Sequence, residues 1–217
     1  MAIKPILFNT EMVRAILDGR KTCTRRSVSS RQFLGMLPDK CKNAAPDEFL
    51  KGKRMMFKPY CDMTDAELIM TAYKAPYEPG DILYVRETWC ALPVNEAGHM
   101  RGHSVYYYKA DGDLRPEGWR GKWEPYTHMP KEAARIWLKV TDVRVERLQE
   151  ITPQGAWKEG ARCYCLHPVP DCAGNKTAFV NIWNNTIKKS DLDRFGWNAN
   201  PWVWVIEFER CEKPEGV

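Results

Sequence analysis

The sequence lacks a segment that could cross a membrane. No run of about 18 apolar residues occurs in the chain of 217 residues. The opening stretch MAIKPILFNTEM also lacks an apolar segment of the length that a signal peptide needs. Internal repeats and low-complexity tracts are absent as well. We therefore expect a globular cytoplasmic protein that does not contact a membrane.

A strong excess of charge of one sign is also lacking. The formal net charge is +5 and the isoelectric point is about 8.7, well short of a histone-like or ribosomal composition. Nucleic acid and an acidic small molecule fit this charge equally well. Cations concentrate in one segment, here called the basic cluster, which comprises Arg14, Arg20, Lys21, Arg25, Arg26 and Arg31.

Disulfides are not expected, although the chain has eight cysteines. Cysteines of cytoplasmic proteins are usually reduced thiols or metal ligands. Four residues lie close enough in sequence to bind one zinc ion: Cys163, Cys165, His167 and Cys172. Their Cys-x-Cys spacing, however, differs from the Cys-x-x-Cys pairs of zinc knuckles. A loop of reduced thiols is the favoured alternative, and we expect no other cofactor.

Hydrophobic periodicity predicts several short strands and fewer helices. Alternation predicts strands at 5–8, 78–89, 103–112, 134–148 and 200–211. Helical spacing and capping residues predict helices at 9–19, 152–160 and 177–189. The long strand changes phase after Val140, which predicts a bulge or a bend. Together these elements predict an α+β fold, a small β-barrel with peripheral helices.

The chain is expected to form a single domain over residues 1–217, with insertions at about 27–76 and 161–176. The first insertion is rich in Lys, Arg, Met and Pro and shows no strong period. One short helix is expected inside it near Thr64–Thr71, where the threonine is a plausible cap.

Three motifs in order resemble the ASCH domain family. They are LDGRKTCTRR (17–26), PGDILYV (79–85) and WVWVIEFERC (202–211). The resemblance extends over most of the chain apart from 27–76 and 161–176, and it looks like the branch of the family that phages and prophages commonly encode. It implies a PUA-like β-barrel related to RNA-binding modules, with long insertions.

The resemblance also implies a set of catalytic residues. The family includes bacterial amidohydrolases that remove the acetyl group from N4-acetylcytidine through a motif G-x-K-x-x-T-x-R and a distant Glu. Gly19, Lys21, Thr24 and Arg26 occupy the motif positions here. The short helix ITPQGAWKEG then makes Glu159 the counterpart of the distant Glu.

These residue types could together hydrolyse an amide. A threonine hydroxyl becomes a nucleophile when a base takes its proton, and a neutral lysine can be that base. Glu159 would orient Lys21 or pass a proton to the leaving amine. Backbone N–H groups after Gly19, or Arg26, would stabilise the oxyanion. The alternative is a solvated helix end, where cations meet the helix dipole.

The geometry of a strand limits this interpretation. Residues 21 and 24 of a regular strand face opposite sides, so a turn or bulge must separate Lys21 from Thr24. Cys23 lies beside the proposed nucleophile, but no His is near it in sequence, and a Cys–His mechanism has little support.

Further residues are candidates for binding substrate. Arg20, Arg86 and Glu87 are charged side chains near these motifs, and a salt bridge at the rim is the alternative role for Arg86 and Glu87. Several aromatic side chains could stack a base, or could pack in the core: Trp89, Tyr108, Trp119, Trp123, Tyr126 and His128.

Two functions remain open at this point. The first is an amidohydrolase acting on an acylated or otherwise modified nucleoside, nucleotide or RNA base. The second is a non-catalytic ASCH module that binds RNA or a nucleotide. The set of Lys21, Thr24 and Glu159 favours the enzyme, because a binding module has no need of a remote Glu.

Overall fold

The structure is a computed structural model that covers most of the chain. It describes residues 1–29, 64, 67, 70, 73–93, 104–115, 117, 121–166 and 168–216. The chain forms two compact units. Unit 1 comprises Met1–Lys21, Gly80–Lys139 and Glu209–Val217, and unit 2 comprises Thr22–Pro79 and Val140–Phe208.

Strands and helices are interspersed along the described residues, which confirms the α+β class. The strands are β1 (Ile3–Leu7), β2 (Cys23–Ser27), β3 (Ile82–Arg86), β4 (Trp89–Pro93), β5 (Ser104–Tyr108), β6 (Trp137–Arg147) and β7 (Trp202–Cys211). The helices are α1 (Thr10–Leu17), α2 (Pro153–Lys158), α3 (Gly174–Thr186) and α4 (Leu192–Phe195). Within the described ranges, none of the helices has the length and apolar character needed to span a membrane.

The strands form two sheets. The larger has five strands in the order β1-β3-β6-β7-β2, and β4 pairs with β5 in the smaller. As far as the described residues go, the five-stranded sheet is open and has β1 and β2 at its ends. The predicted β-barrel is therefore not confirmed.

Unit 1 is built on β1, β3 and the start of β6. β1 runs parallel to β3 and places Ile6 opposite Val85, and β3 runs antiparallel to β6 and places Leu83 opposite Leu138. All four side chains are buried, so both pairs contribute to the core. A further apolar cluster comprises Ile82, Met129, Ala133, Ala134 and Trp137.

Unit 2 is built on β2 and β7 with α2 and α3. β2 runs antiparallel to β7 and places Thr24 opposite Ile206. Full burial of one large apolar side chain contributes about 1.5–3 kcal/mol, so this core fixes α2 and α3. Its buried residues are Leu148, Ile151, Ala156, Ala161, Phe179, Trp183, Val203 and Val205.

Several boundaries differ from the predictions. The strand predicted at 78–89 ends at Arg86, and a second strand begins at Trp89. The helix predicted to begin at residue 177 begins at Gly174. The phase change in β6 is confirmed, because Thr141 and Asp142 are consecutive exposed residues within it.

The predicted insertion at 27–76 lies mostly outside the described residues. Within the helix expected near Thr64–Thr71, Thr64 and Glu67 are described. The Thr64 N–H donates to Glu67 Oε2 at 2.7 Å, and the Glu67 N–H donates to Thr64 Oγ1 at 3.3 Å. This reciprocal pair is the capping box expected where a helix begins.

Candidate functional site

The segment after α1 uses its backbone N–H groups to end the helix. Gly19 has a φ of +69°, which favours glycine, and its N–H donates to Ile16 O at 3.0 Å. The N–H groups of Arg20 and Lys21 both donate to Ala15 O, at 2.8 and 2.9 Å. These donors are already engaged, so the prediction that they stabilise an oxyanion is wrong.

The two cations of this segment differ in environment. Arg20 donates to the Asp18 carboxylate at 2.8 Å and is partly exposed. Lys21 is only 2% exposed, and its Nζ lies 5.6 Å from the centroid of the Phe8 ring, within range of a cation–π contact. A solvated helix end therefore describes Arg20 but not Lys21.

Three consecutive residues of β2 are buried. Cys23, Thr24 and Arg25 are 2%, 2% and 5% exposed, so both faces of the strand are covered. Cys23 and Arg25 share one face, with Cys23 Sγ 3.9 Å from Arg25 Nη1, and alternation turns Thr24 to the other face. Since β2 begins at Cys23, Lys21 precedes the regular strand and strict alternation does not apply to it.

Helix α2 positions Glu159. Thr152 caps its N-terminus and accepts from the Gly155 N–H at 2.9 Å, and Pro153 occupies the first turn. Glu159 is the C-cap residue, and Gly160 follows with a φ of +88°. The Glu159 side chain is buried, and the residue is 7% exposed.

Arg25 binds two carboxylates inside unit 2. Its Nη1 lies 3.3 Å from Glu159 Oε1, and its Nη2 lies 3.0 Å from Glu146 Oε2. Burial lowers the pKa of Arg25, but the negative charges of Glu159, Cys23 and Glu146 outweigh burial and hold it above the ordinary value. Neither Arg25 nor Glu146 is among the site residues predicted from the sequence.

The Nε atom of Arg25 is a further donor. It is buried, and it has no hydrogen-bond partner among the described residues. A water molecule or a ligand oxygen can satisfy a buried donor of this kind.

A small polar cavity lies on the Cys23 side of β2. Its volume is about 170 Å³, below the roughly 300–1,000 Å³ of typical small-molecule sites. The lining mixes acidic and basic side chains and does not include Thr24 or Glu159. It comprises Cys23, Arg25, Arg144, Glu146, Glu150, Thr152, Gln154, Gly155, Lys158 and Glu207.

Glu87 is buried in unit 1 with Arg135. It is 1% exposed, and the guanidinium binds both carboxylate oxygens at 2.9 and 3.0 Å. Burial raises the pKa of Glu87, and Arg135 offsets only part of that rise. Arg135 also binds Asp111 at 2.6 Å and lies 4.0 Å from the centroid of the Tyr108 ring. The salt bridge suggested for Glu87 is present, although it is buried rather than at a rim.

The other predicted binding residues are distributed over unit 1 and unit 2. The Nε of Arg86 donates to Met129 O at 2.7 Å, and His128 is exposed. Trp89 and Tyr108 pack against the apolar cluster of unit 1. Arg26 is half-buried in β2.

The remaining aromatic candidates lie outside the core or outside the described residues. The guanidinium of Arg115 lies 4.5 Å from the centroid of the Trp123 ring, and Tyr126 is half-buried. Trp119 lies outside the described residues.

The cysteines of the predicted zinc loop are close together in space. The sulfur atoms of Cys163, Cys165 and Cys172 lie within 4.8 Å of one another. Cys163 and Cys165 are joined in a disulfide, so the expectation of reduced thiols is wrong for this pair. His167 lies outside the described residues.

Comparison with known proteins does not identify this chain. No protein-family model, curated protein or solved structure matches it. The resemblance to the ASCH family therefore rests on the three sequence motifs and stays a prediction.

Proposed function

We propose that this chain is an ASCH-type amidohydrolase, with the PUA-like barrel of that family, which acts on an acylated nucleoside, nucleotide or RNA base. One observation carries the proposal: the three residues proposed to be catalytic are all buried. Lys21, Thr24 and Glu159 are 2%, 2% and 7% exposed. The described residues contain seven buried polar or charged residues, and the other four are Arg25, Asp81, Glu87 and Asn175.

Burial of these groups supports a chemical role. A lysine or glutamate almost never leaves water completely unless a partner compensates it. A solvated helix end needs no buried lysine. Structural ion pairs also bury charge, so burial alone is not enough to support the proposal. The support is that the three residues to which the family resemblance assigns the chemistry are among the few buried polar residues.

Each residue has a defined role in the proposed reaction. The Thr24 hydroxyl attacks the amide carbonyl carbon while neutral Lys21 accepts its proton. The tetrahedral intermediate then expels the amine of the nucleobase, which takes a proton from the Lys21 ammonium. Water hydrolyses the resulting ester, releasing the carboxylic acid and restoring the threonine.

Glu159 acts by position in this scheme. Its carboxylate accepts a hydrogen bond from the buried guanidinium of Arg25, which limits the orientations it can adopt. A fixed carboxylate can orient an ammonium or take part in proton transfer without reorganising during the reaction. Arg26 remains the candidate donor to the oxyanion, since the backbone N–H groups of Arg20 and Lys21 bind Ala15.

Turnover on a panel of substrates tests the proposal. The full chain is incubated with N4-acetylcytidine, its 5′-monophosphate and an oligoribonucleotide carrying the same base, and release of acetate is measured. We expect hydrolysis of at least one of them. Binding of these ligands without release of acetate, at any enzyme concentration, would instead establish the non-catalytic binding module.

A further inference from the structure

The loop that carries three cysteines has little apolar packing of its own. Tyr164 and Leu166 are 99% and 94% exposed, and Val169 is 51% exposed. A loop without a core needs a cross-link or a metal ion to hold one conformation. Cys163, by contrast, is 9% exposed and lies at the inner end of the loop.

The buried amide of Asn175 fixes both ends of this loop. Asn175 is fully buried in α3, and its Oδ1 accepts from the Cys163 N–H at 3.0 Å. Its Nδ2 donates to Val169 O at 2.8 Å and to Pro170 O at 3.0 Å. One side chain therefore holds the start of the loop against the segment that leads to Cys172.

Gly174 allows Cys163 to approach α3. A Cβ atom at position 174 would lie 2.7 Å from the Cys163 Cβ, closer than two carbon atoms can pack. Only glycine fits at this position without moving the cysteine. Glycine at position 174 therefore allows Cys163 to lie close to the start of α3, next to Cys172.

The distance between two of the sulfur atoms matches a metal site. Cys165 Sγ lies 3.7 Å from Cys172 Sγ. In a tetrahedral zinc site with Zn–S bonds of about 2.3 Å, two sulfur ligands are roughly 3.8 Å apart. A disulfide between Cys163 and Cys165 does not require a third cysteine at this distance.

We propose that Cys163, Cys165 and Cys172 together bind one zinc ion when they are reduced. Two equivalents of a small thiol reduce the disulfide to two cysteine thiols and are themselves oxidised to a disulfide. Zinc then binds the three sulfur atoms as thiolates and displaces three protons. Cys165 is exposed, so water has access to the fourth position.

Zinc binding by single-cysteine variants tests the proposal. The full chain is purified with a phosphine reductant under nitrogen, freed of metal, and titrated with Zn²⁺ against a chromogenic chelator. We expect one zinc ion per reduced chain and loss of this binding in Cys165→Ser and Cys172→Ser. Cys211→Ser is the matched control, because Cys211 is half-buried and lies outside the cluster, and it should bind zinc like the parent.

The role of Cys172 separates a metal site from a disulfide. If the disulfide alone holds the loop, Cys172→Ser leaves the zinc titration and the melting temperature unchanged. If the three thiolates bind zinc, a chelator lowers the melting temperature of the reduced parent and has no effect on Cys172→Ser. Absence of zinc binding by the reduced parent, or parental binding by Cys172→Ser, would overturn the proposal.

Discussion

Arg25 and Glu159 form an ion pair in the interior of unit 2, with 3.3 Å between Nη1 and Oε1. Their side chains are 3% and 5% exposed. They are 134 residues apart in sequence, and they connect β2 with the end of α2. Glu146 lies on the other side of the same guanidinium at 3.0 Å.

This ion pair should matter for stability because neither charge has ready access to water. Arg25→Met removes the cation and leaves Glu159 buried, which typically costs about 3–5 kcal/mol. The expected result is a correspondingly lower free energy of unfolding, measured by urea denaturation at pH 7. A change of this size would be visible as a clear shift of the transition midpoint.

Arg144→Met is the control for this measurement. Arg144 also binds carboxylates, those of Asp142, Glu146 and Glu207, but its side chain is 40% exposed. Exposed pairs typically contribute about 0.2–1 kcal/mol each, so this variant should cost less than Arg25→Met even though it breaks three pairs. Equal costs for the two variants would show that burial is not what makes the Arg25 pair important.

Local features of the fold were predictable from the sequence. Capping chemistry involves residues only a few positions apart. The helices predicted to start at residues 9 and 152 are α1 and α2, and Asn9 and Thr152 are their N-caps. The phase change in β6 was visible because burial and hydrophobicity share one period in a strand.

Long-range pairing was not predictable from the same signals. Nothing in the residues around Arg25 indicates that its carboxylate partners are Glu146 and Glu159, since only tertiary structure brings them together. Glu87 and Arg135 illustrate the same limit, because 48 residues separate them. The only sequence signal for Arg25 was its place within the motif segment, and Arg20 and Arg26 lie in the same segment.

Tyr108 should make the stability of the protein depend on alkaline pH. Burial raises its pKa to about 12, above the ordinary value near 10 of an exposed tyrosine. Below pH 10 the phenol is protonated in both the folded and the unfolded state, and its contribution to stability is fully present. Between pH 10 and about 12 the unfolded state loses its proton first, so the contribution is lost as pH rises through this window.

Denaturation midpoints from pH 8 to 12 measure this effect. Tyr108→Phe should flatten part of the alkaline decline, and it should cost about 1 kcal/mol at neutral pH because the hydroxyl donates to Ala133 O at 2.6 Å. Tyr106→Phe is the control, since Tyr106 lies on the same strand. An alkaline decline that is identical in the parent and Tyr108→Phe would contradict the assignment.

Any binding of nucleic acid should be weak and sensitive to salt. Within the basic cluster, Arg14 binds Ala110 O and Glu11, Arg20 binds Asp18, and Arg25 binds Glu159. Cations held by carboxylates offer few contacts to phosphate, and each contact to a single strand contributes about 0.7 to the slope of log K against log salt. Fluorescence anisotropy with a single-stranded oligoribonucleotide at several salt concentrations measures this slope.

A variant of the cluster gives this measurement its control. Arg26→Ala should reduce the slope if Arg26 contacts a phosphate, whereas Arg115→Ala should not, because Arg115 lies outside the cluster and binds Asp113. Tight binding that persists at high salt would contradict the prediction and would indicate base stacking and shape recognition.

The proposed hydrolysis should depend on Thr24 and Lys21 in different ways. Thr24→Ala should abolish release of acetate while leaving the affinity for substrate nearly unchanged, because one small hydroxyl adds little to ground-state binding. Lys21→Ala should lower kcat by roughly 10²–10⁴-fold, the range expected for loss of a general base.

Matched variants elsewhere in the chain separate catalysis from folding. Thr22→Ala removes an exposed hydroxyl two residues from Thr24, and Lys139→Ala removes an exposed ammonium from β6. Both variants should hydrolyse substrate at the parental rate, because neither side chain is one of the three buried residues proposed to be catalytic. Circular dichroism and melting temperature verify that Thr24→Ala and Lys21→Ala remain folded. If Thr24→Ala hydrolyses a substrate at the parental rate, Thr24 is not the nucleophile, whatever Lys21→Ala does.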